Sequence, residues 1–281
     1  MKKKKEIEFP DCWEELYQCE WEYLLRLRQK LIDKSGIALN DVKREWCRFV
    51  LRNRGIRTKK TEDYYLLIYD LALTLDWMWS ESEDGSQVEL TFTSTQNLLP
   101  KWKNLTGPLS HFGDLTFAEF RESVTMMNRY AESQDPAMLQ ALCGILYRRP
   151  GKKVGKKDFD GRYREEFNSA RISFYADRVR MMPVHIQFGI YAWFAYSCNY
   201  LMTGTYLISN EEICFAPVFG RDAGEGRKAE QNLGMNGILF SVAESGIFGN
   251  VDSTDNTLLI KVMMKLLDDY QKAKAMTPKT S

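Results

Sequence analysis

The sequence predicts a mainly α-helical fold: a multi-helix bundle with at most a small β hairpin or extended segment. Three observations predict it. Apolar residues recur at three- and four-residue spacings along most of the 281 residues. Helix-start signals stand where several of these stripes begin. Clear period-two alternation occurs once, at Val88, Leu90 and Phe92.

Each element has its own signal. From Asp11 to Ile32, Trp13, Leu16, Tyr17, Trp21, Leu24, Leu27 and Leu31 follow helical spacing. A second helix is expected from Asn40 or Asp41, either a good N-cap, to Arg52. A third, Glu62 to Met78, sets Tyr65, Ile68, Tyr69, Ala72 and Leu75 on one face. The strand at Gln87–Thr93 needs a partner that the pattern does not reveal. Asn97 to Asp114, with Pro100, Gly107-Pro108 and Gly113, reads as a long connection and a domain boundary. The expected organisation is an N-terminal helical region (1–95), a connecting loop (96–115) and a C-terminal helical domain (116–281).

Helix starts are sharper in the second half. Thr116-Phe117-Ala118-Glu119 is a capping box: the hydroxyl takes the N–H three residues on, and the carboxylate reaches back. Asp135-Pro136 combines a cap with proline at the first helical position. Its helix should end at Tyr147. A further helix is expected from Gly161 to Met182, with Tyr163, Phe167, Ala170 and Phe174 aligned, and another from Lys228 to Ser245. The last helix, capped by Asp252, Ser253 or Thr254, carries Leu258, Leu259, Val262, Met263, Leu266, Leu267 and Tyr270 as a stripe.

Met181 to Ser209 contains no Asp, Glu, Lys or Arg, in a chain that is 27% charged. It is long enough for a membrane span, which needs about 20 apolar residues. Its content argues for a core helix instead. Pro183, His185, Gln187, Ser197, Asn199 and Thr203 interrupt it, and four tyrosine hydroxyls need partners that neighbouring helices supply. A membrane-associated protein is the alternative. No signal peptide is visible, because Glu6, Glu8 and Asp11 follow the Lys2–Lys5 run.

Net charge is +1, so no global field recruits nucleic acid. Six scattered cysteines without a CxxC pair read as reduced, buried thiols of a cytosolic setting. Two histidines leave little room for His-based catalysis. The Gly220–Gly226 loop has neither P-loop spacing nor a following Lys-Ser/Thr pair, so it reads as a solvent loop. Asp158, Asp160, Glu165 and Glu166 lack the EF-hand pattern and read as helix-start acids. No catalytic, cofactor-binding or metal-binding set is assigned, and no cofactor is expected.

Two sets of residues are candidate interaction surfaces. Arg148, Arg149, Lys152, Lys153, Lys156 and Lys157 form a basic, glycine-bearing segment that suits nucleic acid or an acidic protein partner. Tyr147, Phe159 and Tyr163 lie beside it and could stack on bases. Leu259, Val262, Met263, Leu266 and Tyr270 form a candidate partner-binding helix.

Three segments together carry a resemblance: Ala137 to Pro150 (AMLQALCGILYRRP), the uncharged Met181 to Met202, and Ser245 to Lys274 (SGIFGNVDSTDNTLLIKVMMKLLDDYQKAK). In this order they resemble uncharacterised proteins of tail-gene clusters in Bacteroidetes phages and prophages, over about the last 150 residues. The resemblance implies a tail-assembly chaperone or minor tail component, in the host cytoplasm or the virion, with other phage tail or virion proteins as partners. Tape-measure chains are long and helical, and a chaperone must cover their apolar stripes. The 13% aromatic content and 12 methionines suit an adaptable binding surface, and suit a helical core equally. The leading expectation is therefore a non-enzymatic phage assembly or structural protein. A nucleic-acid-binding accessory protein using the basic loops is the second.

Overall fold

The computed structural model describes residues 8–33, 36–56, 61–81, 88–159, 161–219 and 235–276. The Lys2–Lys5 run, Asp160, the Gly220–Gly226 loop and the start of the helix expected from Lys228 lie outside the described residues. The fold is mainly α-helical, with three small two-stranded antiparallel sheets among the described residues. The chain forms two compact units. One comprises 1–100 with 182–193; the other comprises 101–181 with 194–281.

In the first unit, a 3-10 turn at Trp13–Glu15 precedes α1 (Gln18–Ile32). The expected single helix breaks because Leu16 and Tyr17 are extended, and the Tyr17 N–H donates to the Glu20 carboxylate instead (3.1 Å). The break turns Trp13 inward against Trp21, Trp77 and Phe92, with ring centroids 4.9–5.2 Å from Trp13. Each such side chain contributes about 2–3 kcal/mol on burial. α2 (Leu39–Asn53) starts one residue before the expected caps and buries Val42, Trp46, Cys47, Val50 and Leu51. Glu20 is fully buried, yet it is matched: Asn53 and Arg54 donate to it at 2.9–3.0 Å. α3 (Glu62–Leu73) ends early, in a 3-10 turn over Thr74–Met78. The missing strand partner is there: β1 (Trp79–Glu81) pairs with β2 (Val88–Leu90), Trp79 opposite Leu90.

α7 (Val184–Thr203) gives residues through Trp193 to the first unit and the rest to the second. The Trp193 indole N–H donates to the Thr95 carbonyl at 3.0 Å, so its one polar atom is satisfied in the core. Among the described residues, no helix is long and apolar enough to cross a membrane. The uncharged stretch is not one helix. Past Gly204, β5 (Thr205–Ile208) and β6 (Glu211–Cys214) form a hairpin, with positive φ at both Ser209 and Asn210. That is the geometry a two-residue hairpin turn requires.

The second unit opens with a hairpin, β3 (Lys101–Trp102) and β4 (Leu105–Thr106), inside the stretch expected to be loop. α4 (Phe117–Ser133) begins at the expected capping box: Glu119 N–H to Thr116 Oγ1 is 3.3 Å, and Thr116 N–H to Glu119 is 2.7 Å. α5 (Pro136–Leu146) is capped by Asp135, as its sequence signal predicts. α5 packs closely on α6 (Ile172–Val179), and Gly144 permits the approach: a Cβ there would lie 2.6 Å from the Tyr175 backbone.

Two helix expectations are corrected. Residues 163–166 are extended, because Tyr163 and Glu165 exchange backbone hydrogen bonds with Gly151 and Arg149 (3.0 and 2.7 Å). The terminal helix is split into α10 (Val251–Asp255, capped by Asn250) and α11 (Leu259–Met276). Between them the Thr257 carbonyl accepts from Phe117 N–H, and Leu259 N–H donates to the Leu115 carbonyl (2.9 and 2.8 Å). Those long-range bonds replace the intrahelical ones. The unit is completed by α8 (Ala216–Phe219) and α9 (Met235–Glu244), on both of which α11 packs.

Candidate functional site

The most concentrated chemistry lies in the second unit, around the capping box of α4. Glu119 is buried among Phe117, Ala118 and Phe120. Two buried arginines reach its carboxylate. Arg148 pairs with it directly, and Arg164 approaches at 3.1 Å. Arg164 also pairs with Asp114 at 3.0 Å and donates to the Leu146 carbonyl at 3.1 Å. Arg148 also donates to the Ile145 and Glu165 carbonyls, under the rings of Phe167 and Tyr175. Two cations thus meet two carboxylates, and their donors are spread over backbone carbonyls, as burial of charge demands.

Burial alone would raise the Glu119 pKa. Arg164, Arg148 and the Thr116 N–H outweigh it and hold the carboxyl below its usual range. Burial also lowers Arg164, but Glu119 and Asp114 more than offset that, so its pKa is raised.

This tetrad floors a cleft of about 260 Å³ lined also by Arg162, Tyr163, Glu165 and Phe167. A second basin, of about 540 Å³, shares Arg162, Arg164, Glu165 and Glu166 with it and continues along Arg149, Lys152, Lys153 and Arg171. Its carboxylates are engaged: Glu166 with Arg162 at 2.9 Å, and Glu165 with Arg178 at 2.5 Å. They sit on an extended segment, not at the helix start that the sequence suggested.

The basic segment therefore divides. Arg148 is not a surface residue. It turns inward because Glu119 and the Ile145 and Glu165 carbonyls hold it, and its place on the surface set is withdrawn. Arg149, Lys152 and Lys153 line the basin and are exposed. Lys156 and Lys157 are exposed in the adjoining loop, outside the basin lining. Tyr147 is buried, while Phe159 and Tyr163 form an edge-on pair at 5.0 Å with Tyr163 exposed.

The partner-binding helix is likewise corrected. Leu259, Val262 and Met263 are buried against the unit's own helices α4, α8 and α9, so they are core, and only Leu266 and Tyr270 are half-buried. An amphipathic stripe has the same spacing whether it meets its own fold or another chain.

Exposed apolar surface lies elsewhere, on α3 in the first unit. Tyr65, Leu66, Tyr69 and Leu73 share one face, 48%, 61%, 53% and 57% exposed. Ile68, Ala72 and the following Leu75 take the buried side. Tyr65, Leu66 and Tyr69 line a groove of about 500 Å³ with Arg44 and Arg48 of α2. The sequence pattern had set Tyr65 and Tyr69 on one face with Ile68, Ala72 and Leu75, of which the last three are buried.

Near the N-terminus, Asp11, Cys12 and Glu15 bring ligand atoms within 4.8 Å of one another. The Glu15 carboxylate accepts the Asp11 N–H at 3.1 Å, which accounts for its position beside the 3-10 turn.

No protein-family model, no curated protein and no solved structure matches the chain.

Proposed function

We propose that this chain is a non-enzymatic phage assembly or structural protein, a tail-assembly chaperone or minor tail component, that binds other virion proteins in the host cytoplasm or the virion. The observation that carries the reading is the apolar face of α3. Four large side chains on three helical turns stand about half exposed, side by side, next to a groove edged by two arginines. Scattered exposed apolar residues are ordinary; a contiguous stripe marks an interaction surface. Its dimensions suit an amphipathic helix laid along α3, with apolar residues at i, i+3, i+4 and i+7. Tape-measure chains present such helices, which ties this face to the tail-cluster resemblance of the last 150 residues.

The test is capture from nuclease-treated lysate of an induced prophage host, using tagged full-length protein read by mass spectrometry. The reading predicts recovery of a long helical tail protein, and its loss with Tyr65→Ser/Leu66→Ser/Tyr69→Ser. Recovery of no tail protein, or capture that the triple variant leaves unchanged, refutes it.

A further inference from the structure

We infer that the basin beside the buried tetrad binds the phosphodiester backbone of single-stranded nucleic acid, with Tyr163 supplying a stacking face for one base. This goes beyond the protein-binding reading and uses the other unit of the chain. The basin is lined by six cations and two carboxylates. Both carboxylates are already matched by Arg162 and Arg178, and Arg164 is committed to Asp114 and Glu119. Lys153 pairs with Asp158 at 3.3 Å, a contact open to solvent. Arg149, Lys152 and Arg171 have no carboxylate partner among the described residues, and all three are exposed.

The arrangement is local, which is why the net charge of +1 conceals it. The basin's walls are held from beneath. The Arg149–Gly151 backbone pairs with Tyr163 and Glu165, and Arg164 anchors that segment to α4. Arg171 is further ordered over the Phe174 ring at 4.3 Å. A rim of three cations without carboxylate partners favours a chain of regularly spaced anions over a single one.

The rings choose the kind of chain. Tyr163 is 40% exposed and forms an edge-on pair with Phe159 at 5.0 Å. Tyr163 lines the smaller cleft, which shares Arg162 with the basin, so a base and its neighbouring phosphates can be held together. Stacking needs an unpaired base, which selects a single strand over a duplex.

The test is fluorescence anisotropy of a labelled twelve-nucleotide oligothymidylate with the full-length protein. Three neutralised phosphates predict a log–log salt slope near −2, so affinity should fall about fifteen- to twentyfold between 50 and 200 mM salt. Arg149→Ala/Lys152→Ala/Arg171→Ala should flatten that slope and weaken binding at least about tenfold at low salt. Tyr163→Ala should weaken it about fivefold or more, while Tyr163→Phe retains it. Circular dichroism checks that each variant is folded. Equal competition by poly-glutamate or by inorganic pyrophosphate would overturn the proposal in favour of a generic anion surface. So would equal binding of the duplex, or binding unaffected by the triple substitution. Absence of binding at 50 mM salt would overturn it outright.

Discussion

Glu119→Gln isolates the charge that organises the second unit. Glutamine keeps the shape of the side chain and can still accept the Thr116 N–H, so the cap survives. What it removes is the carboxylate shared by two buried arginines. Arg164 retains Asp114 at 3.0 Å. Arg148 retains only the Ile145 and Glu165 carbonyls and the rings of Phe167 and Tyr175, with no carboxylate left among the described residues. Breaking a buried pair in this way costs about 3–5 kcal/mol, because a desolvated cation is left behind. For a domain of this size each kcal/mol moves the melting temperature by about 2–4 °C, so thermal unfolding followed by circular dichroism should shift down by roughly 6–20 °C. Arg148→Met/Glu119→Gln should recover part of that loss, since the stranded cation is gone. The double-mutant cycle should give a coupling of about 2 kcal/mol or more. A Glu119→Gln protein within about 0.5 kcal/mol of the parent, the range of an ordinary surface substitution, would refute this account of the tetrad.

The Glu119 pKa is depressed by folding, so its stabilisation is fully present above the unfolded value of about 4.3 and disappears as pH falls through the lower folded value. Acid titration of stability should therefore be steeper below about pH 4 in the parent than in Glu119→Gln. Gly144→Ala normally favours a helix; here the added Cβ meets the Tyr175 backbone at 2.6 Å, so denaturant unfolding should show a loss of about 1–3 kcal/mol. Burial raises the thiol pKa of Cys143 and Cys198, and pushes Cys47 up to about 12. In the native protein an aromatic disulfide reagent should modify exposed Cys19 and Cys214 first, and reach the buried three only on unfolding.

Local signals that involve neighbours in sequence were legible. The Thr116–Glu119 capping box, the Asp135-Pro136 start and the Val88–Leu90 strand all stand where the pattern places them. Features that depend on distant partners were not. Residues 163–166 have a helical pattern, but long-range pairing with Arg149 and Gly151 keeps them extended. Arg148 reads as one more residue of a basic run, and nothing local distinguishes it from Arg149. The available clue was Glu119, a carboxylate inside the apolar run Phe117–Phe120 that burial would oblige to find a cation. The Ser209-Asn210 turn was obscured by the uncharged run that ends at its first residue. Amphipathic periodicity identified α3 and α11 as helices, yet it could not say which apolar residues the fold itself covers. Leu259, Val262 and Met263 of the α11 stripe are core, and the outer edge of the α3 stripe is surface.

We propose that the α3 face binds a helical virion protein. The direct measurement is side-by-side capture by the parent and by Tyr65→Ser/Leu66→Ser/Tyr69→Ser from nuclease-treated lysate of an induced prophage host, with the melting temperature of both proteins recorded. The expected result is matching melting temperatures within a few degrees, a long helical tail protein recovered by the parent, and its absence with the variant. Equal recovery by a folded variant, or recovery of no tail protein by the parent, would contradict it.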